Sequence, residues 1–85
     1  MQLEYETKAI KDLKAIDAPV RMKIVAKIVQ YAASPASLAN NVIHLANSPF
    51  LRLRVGDYRV ILSLSDGVAT IMTVIRVRHR SEAYE

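Results

Sequence analysis

Between residues 50 and 79 apolar and polar side chains alternate over long stretches, and the alternation breaks at Gly56-Asp57 and Asp66-Gly67. Alternation at period two marks a half-buried strand, because successive side chains leave a strand on opposite faces. Both breaks carry turn residues, so the segment predicts two hairpins and three antiparallel strands. A two-residue loop at Asp66-Gly67 would pair Ser65 with Val68, Ser63 with Thr70, Ile61 with Met72 and Arg59 with Val74. A turn at Gly56-Asp57 would pair Val55 with Tyr58, Leu53 with Val60 and Arg54 with Arg59. One face then collects Leu51, Leu53, Val55, Tyr58, Val60, Leu62, Leu64, Ile71, Thr73, Ile75 and Val77, a set suited to a core. The other collects Arg52, Arg54, Arg59, Arg76 and Arg78, with Ile61, Ser63, Thr70, Met72 and Val74 between them.

The first half of the chain changes period. Gln2-Leu3-Glu4-Tyr5-Glu6 alternates and predicts a short first strand. Thr7 can cap a helix over 8–16, with Ile10, Leu13 and Ile16 as its apolar stripe. Asp17-Ala18-Pro19 ends that helix and opens a second, with Asp17 as N-cap and Pro19 in the first turn. It runs to about Ala33, with Val20, Ile24, Ile28 and Tyr31 at helical spacing and Arg21, Met22, Val25 and Val29 broadening the stripe. Two helices joined by a short loop form an αα-hairpin, the natural cover for the apolar sheet face. Ser34-Pro35 stops the second helix, and 36–47 is irregular apart from a helical turn through Leu38. The expectation is one α+β domain over 1–85, an N-terminal strand and helical hairpin on one face of a small antiparallel sheet, with the arginine face left open.

Charge sharpens this picture. The net charge is +4 with a pI near 9.7, which favours an acidic partner, nucleic acid being the commonest. All five lysines lie at or before Lys27, whereas six of the seven arginines lie at or after Arg52, so the first half reads as scaffold and the second as site. The arginine fork suits bidentate phosphate contacts, and lysine is the more general solubilising charge. Between Phe50 and Tyr84 the acids are Asp57, Asp66 and Glu82, in predicted turns or past the last strand, so the face is expected to lack a counter-charge. Arginines placed directly across strands cost stability, and a face that accepts this cost is suited to an anion.

Other chemistries fit less well. There is no cysteine, which removes disulfides, thiolate metal sites and cysteine nucleophiles, and is compatible with a reducing cytosol. The only histidines are His44 and His79, too few to suggest a metal site, so no metal or cofactor is expected. With Gly56 and Gly67 the only glycines, a Gly-rich phosphate loop is excluded. No apolar stretch approaches the ~20 residues that span a bilayer, and no membrane role is expected. A domain this small buries only somewhat over ~60% of its unfolded surface, so a stabilising partner is unsurprising. At the chain end, Arg78-His79-Arg80-Ser81-Glu82-Ala83-Tyr84 gathers cations with groups able to move protons. Metal-free RNA cleavage needs such a set: a base for the ribose 2′-hydroxyl, cations for the phosphorane and an acid for the leaving 5′-oxygen. The residues alone leave His79 and Tyr84 open between that role and a solvated turn or a packed ring.

The run Ser48-Pro49-Phe50-Leu51-Arg52-Leu53-Arg54-Val55-Gly56-Asp57-Tyr58-Arg59-Val60-Ile61, followed by Ile75-Arg76-Val77-Arg78-His79-Arg80-Ser81-Glu82-Ala83-Tyr84, resembles the RelE/ParE family of bacterial toxins. The family pattern is an R-x-R-x-G-x-Y-R strand pair and a closing H-R-x-x-x-Y, both present in order. The resemblance implies a microbial RNase-like fold and a cognate antitoxin protein that blocks the site. It implies first a ribosome-dependent, metal-independent endonuclease that cuts mRNA in the A site, in the cytoplasm, because Arg59, Arg78, His79 and Tyr84 are all retained; the alternative is a DNA gyrase inhibitor without nuclease activity, and an inactive binding module on the same scaffold is a third reading. By position, Arg59 and Arg78 match the arginines that stabilise the scissile phosphate, Tyr84 the terminal tyrosine of proton transfer, and His79 a frequent neighbour of the last arginine. Arg52 and Arg80 match further basic positions, and Arg54 and Arg76 complete the expected RNA-binding set. Phe50 stands where RelE-type members carry a second lysine.

Overall fold

A computed structural model describes residues 1–82. In chain order these form β1 (Gln2–Tyr5), α1 (Thr7–Lys14), α2 (Ala18–Ala33), a 3-10 turn (Pro35–Asn41), β2 (Val42–His44), β3 (Phe50–Val55), β4 (Tyr58–Ser65), β5 (Ile71–His79) and a closing 3-10 turn (Arg80–Glu82). The strands make one five-stranded sheet in the order β1-β5-β4-β3-β2. β1 runs parallel to β5, and every other neighbouring pair is antiparallel. Both helices pack on one face, giving the α+β arrangement the sequence implies.

Helical spacing explains the packing. Ala9 and Leu13 form one buried ridge on α1, and Ile24, Ile28, Tyr31 and Ala32 form another on α2. These meet Leu53, Val60, Leu62, Met72, Val74 and Val77 of the sheet, with Leu38 of the 3-10 turn, in a single cluster. Burying an aliphatic side chain of this size contributes about 1.5–3 kcal/mol, so the cluster supplies most of the folding force.

The helix ends differ from expectation. Glu6 rather than Thr7 occupies the cap position of α1, Asp17 caps α2 only through its backbone, and neither makes a side-chain cap hydrogen bond. α1 stops at Lys14, short of 16, and Arg21 serves its end. The Arg21 Nη1 donates to the carbonyls of Ile16 at 3.0 Å and Leu13 at 3.4 Å. Carbonyls that a helix terminus leaves without partners are thereby satisfied.

The 36–47 stretch contains a short strand that its composition hides. Val42, Ile43 and His44 pair with Leu53, Arg52 and Leu51, extending the sheet by one edge. At Gly56-Asp57 the hairpin forms as expected, with Val55 opposite Tyr58, Leu53 opposite Val60 and Arg54 opposite Arg59. Gly56 has φ +57 and Asp57 does not have positive φ, the pattern of a II′ turn.

The second hairpin overturns its expected register. Ser65 lies opposite Ile71, Leu64 opposite Met72, Ser63 opposite Thr73 and Leu62 opposite Val74, so the loop spans 66–70 instead of two residues. Gly67 does not adopt the positive φ that a tight Asp-Gly turn demands, and Thr70 Oγ1 donates to Asp66 Oδ1 at 2.9 Å across the wider loop. The cause is packing: β1 docks along β5 with Leu3 opposite Met72 and Tyr5 opposite Val74, bringing Met72 and Val74 into the core. Thr73 and Ile71, expected inside, face outward. A bulge at Ile75 then inserts one extra residue, so Ile61 faces Arg76 and Arg59 faces Arg78. Beyond it the alternation is restored, with Val77 buried and Arg78 on the open face.

Candidate functional site

Three arginines stand in one rung across three strands. Arg54 is opposite Arg59, and Arg59 is opposite Arg78, on the face away from the helices. With strands about 4.8 Å apart the rung is roughly 10 Å long. Arg52 occupies the next rung on the same face, between Ile43 and Ile61. Among the described residues no carboxylate pairs with Arg52, Arg54 or Arg59. Arg59 Nη1 reaches only the Tyr58 carbonyl, at 3.4 Å. Arg78 is held toward the end of the chain, its Nη2 donating to the Glu82 carbonyl at 3.1 Å.

Arg76 has a different environment. Asp12, on α1, accepts from Arg76 Nε at 2.8 Å and Nη2 at 3.1 Å, and from the Val77 backbone N–H at 2.9 Å. The strand pairing explains why. β1 ends at Tyr5, and after Glu6 N–H donates to the Val74 carbonyl, no strand of the described residues continues on that side of β5. Asp12 substitutes for the missing strand at Val77. The expectation of a face without counter-charge therefore fails at this position, because the acid comes from a helix 64 residues away in sequence. The side chains of Arg76 and Asp12 keep 34% and 18% of their exposure, so the pair is half-sheltered. Burial pushes the Asp12 carboxyl up, but the Arg76 hydrogen bond, the Val77 N–H and the charges of Arg76 and Arg78 outweigh it and hold the group below the usual carboxylate range. Sequence reasoning missed Asp12. Its one signal was an acid flanking Leu13 on a helix whose other charges are lysines.

His79 lies on the opposite side of the sheet from the rung. It pairs with the half-buried Tyr58, and the two rings meet edge to face with centroids 5.2 Å apart. With Tyr58 it borders a hollow of about 300 Å³ that also includes Asp12, Ala15 and Ile16, on the helix side. Its Nδ1 accepts from the Ser81 backbone N–H at 3.2 Å and lies 2.9 Å from Ser81 Oγ. A nitrogen that accepts from a backbone N–H carries no proton, so the neutral ring is protonated at Nε2. Arg80 extends from the sheet end, its backbone N–H donating to the Asp57 carbonyl at 2.7 Å and its Nε 3.7 Å from Asp57 Oδ1. Tyr84 lies outside the described residues. Among the described residues no three His, Cys, Asp or Glu side chains gather in a way that could hold a metal ion, and no helix is long and apolar enough to cross a membrane.

The model of the family described as ParE toxin of type II toxin-antitoxin systems, parDE, matches residues 3–84. The Escherichia coli K12 protein named mRNA interferase toxin RelE is 25% identical over 83 residues, covering 96% of this chain and 87% of its own length. Among solved structures, the archaeal RelE-RelB complex of Pyrococcus horikoshii superposes with a TM-score of 0.76 at 20% identity, covering 96% of this chain and 97% of that one. The intact E. coli RelBE toxin-antitoxin complex gives 0.74 at 22% identity, covering 92% and 94%. A family model spanning β1 to the tail, on a sheet whose open face carries the arginines that suggested the resemblance, places this chain in the RelE/ParE family: it is a toxin of the type II toxin–antitoxin kind.

Proposed function

We propose that this toxin is an mRNA interferase that cuts message in the ribosomal A site, and that a cognate antitoxin protein is its partner in the cytoplasm. The observation that carries the reading is the Arg54–Arg59–Arg78 rung, three cations in register on the face away from the helices, with no described carboxylate on Arg54 or Arg59. Such a rung suits a polyanion backbone, and charge there is most useful where it develops during reaction. In cleavage the 2′-oxygen attacks the adjacent phosphorus, the 5′-oxygen leaves, and a cyclic phosphate results. Arg59 and Arg78 neutralise the phosphorane, and Arg52, Arg54 and Arg80 hold flanking phosphates. Arg76, already paired with Asp12, braces the strand that carries Arg78. The proton transfers are assigned to Tyr84, two residues past the Glu82 carbonyl that Arg78 contacts, because the His79 ring is turned to the helix side. The relative named mRNA interferase toxin RelE supports the reaction, and the solved toxin–antitoxin complexes support the partner.

The family model bears the ParE name, which favours a second reading, inhibition of DNA gyrase without cleavage. One experiment separates the two: translation, mRNA cleavage and plasmid supercoiling are followed in parallel on induction of wild type, Arg78→Ala and Tyr84→Phe. Under the ribonuclease reading Arg78→Ala lowers cleavage by about 10²–10³-fold, the loss typical of one transition-state donor, and Tyr84→Phe lowers it through the missing hydroxyl alone. Supercoiling that falls with toxin dose, with both variants fully toxic, would replace it with the gyrase reading.

A further inference from the structure

The arginine rung continues past β3. Extending the β2–β3 register one residue beyond the Val42–Leu53 pair sets Asn41, the last residue of the 3-10 turn, beside Arg54. Asn40, Asn41, Ile43, Arg52 and Arg54 enclose a hollow of about 140 Å³ at the rim of the arginine face. Ile43 is 49% exposed there, an aliphatic surface without a described partner. Among the described residues no group hydrogen-bonds the side chains of Asn40, Asn41, Arg52 or Arg54. Asparagines at turn ends ordinarily bond nearby backbone, so two uncommitted amides facing the same hollow are unusual.

A phosphate site explains the arginines but not the rest of the lining. Phosphate oxygens only accept, whereas each amide offers a donor and an acceptor in one plane and Ile43 offers an apolar wall. A nucleobase matches all three. Asparagine can engage the N6/N7 edge of adenine bidentately, a guanidinium can engage O6/N7 of guanine or stack on a ring, and N7 is common to both purines and absent from pyrimidines. The distance also fits, since one to two strand spacings, roughly 5–10 Å, separate Arg54 from Arg59 and Arg78. We propose that this hollow takes the purine base of a nucleotide flanking the cut bond, read at N7 by Asn40 and Asn41 with Ile43 against the ring and Arg54 on the phosphate of the same nucleotide. The inference rests on the ribonuclease reading and adds to it a residue-level source of sequence preference.

The test uses ribosomes programmed with synthetic mRNAs that carry adenine, 7-deaza-adenine or uracil at each position flanking the mapped cut. In wild type, replacing N7 by carbon at one such position should slow cleavage roughly five- to a hundred-fold, the discrimination typical of one bidentate base contact. Asn40→Ala/Asn41→Ala, its fold checked by thermal melting, should cut the adenine and 7-deaza-adenine messages equally. Wild type that cuts 7-deaza messages as fast as natural ones overturns the inference whatever the variant does, and so does a folded variant that keeps the wild-type preference. Those outcomes leave the ribonuclease reading standing; cleavage of none of the messages would remove that reading, and this inference with it.

Discussion

On the helix side of the sheet Leu53, Val60, Leu62 and Val77 are buried, and one residue along the same strands Arg52, Arg54, Arg59 and Arg78 lie on the other face, where no described helix packs. The inner face gains stability from every side chain it removes from water. The outer face loses some by placing Arg54, Arg59 and Arg78 in register, an arrangement that favours an anionic ligand over the free protein. Arg76 lies between these two regimes. Only two residues from Arg78 on β5, it is bound by Asp12 and belongs to the scaffold.

This contrast can be broken from the inside first. Leu62→Ala removes a fully buried side chain and should cost about 2–5 kcal/mol by chemical denaturation, a large share of the stability of a small domain. A loss below 1 kcal/mol would mean that the inner face does not hold the fold. Asp12→Ala comes next, removing the acceptor of three hydrogen bonds, with an expected loss of about 1.5–3 kcal/mol at neutral pH. Its pH dependence has a definite sign. The Asp12 pKa is lowered in the fold, so its stabilisation is present above the unfolded value of about 3.9 and is lost as pH falls through the folded value. The difference between wild type and Asp12→Ala should therefore narrow at pH 3. A difference that stays constant would assign the effect to packing.

Outer-face changes should spare stability and alter binding. Arg59→Ala should lower the salt dependence of RNA affinity by ~0.7 log units per log unit of salt, the signature of one lost single-strand phosphate contact, as read by titration over a range of salt concentrations. An unchanged slope would remove Arg59 from the anion face. The smallest effect is expected at the Arg80–Asp57 pair, 3.7 Å apart with side chains 66% and 67% exposed. Asp57→Ala should change stability by less than about 1 kcal/mol, because water screens such pairs.

The two hairpins show which parts of the structure could be read from sequence. The β3–β4 pairing follows from local chemistry, since Gly56 has the positive φ that a two-residue turn requires and no distant contact disputes the register. At β4–β5 the same type of signal, Asp66-Gly67, yields to tertiary packing. β1 docks against β5 and draws Met72 and Val74 inward, a constraint that no local window contains. Arg78 was nevertheless placed on the correct face. The expected partner of Arg59 was Val74 and the observed one is Arg78, a four-residue displacement made of a three-residue slip and a one-residue bulge, so the inside–outside parity cancels. Asp12 and the outward Asn41 were not legible for a related reason: one acts across the fold, and the other ends a 3-10 turn just before a strand too short to show a period.

The position of β5 also governs the order in which the molecule can be assembled. Among the described residues β1 has no strand neighbour except β5, and the pair Gln2–Ile71 joins residues 69 apart in sequence. Contacts this distant must overcome the entropy of closing a long loop before they contribute, which makes their formation late and slow. Until β5 is in place, β1 lacks its partner strand and Arg54 and Arg59 stand without Arg78 beside them. The cation cluster comes into being only with the strand that also closes the fold, so a nascent chain that is cut short or degraded before that point never displays it.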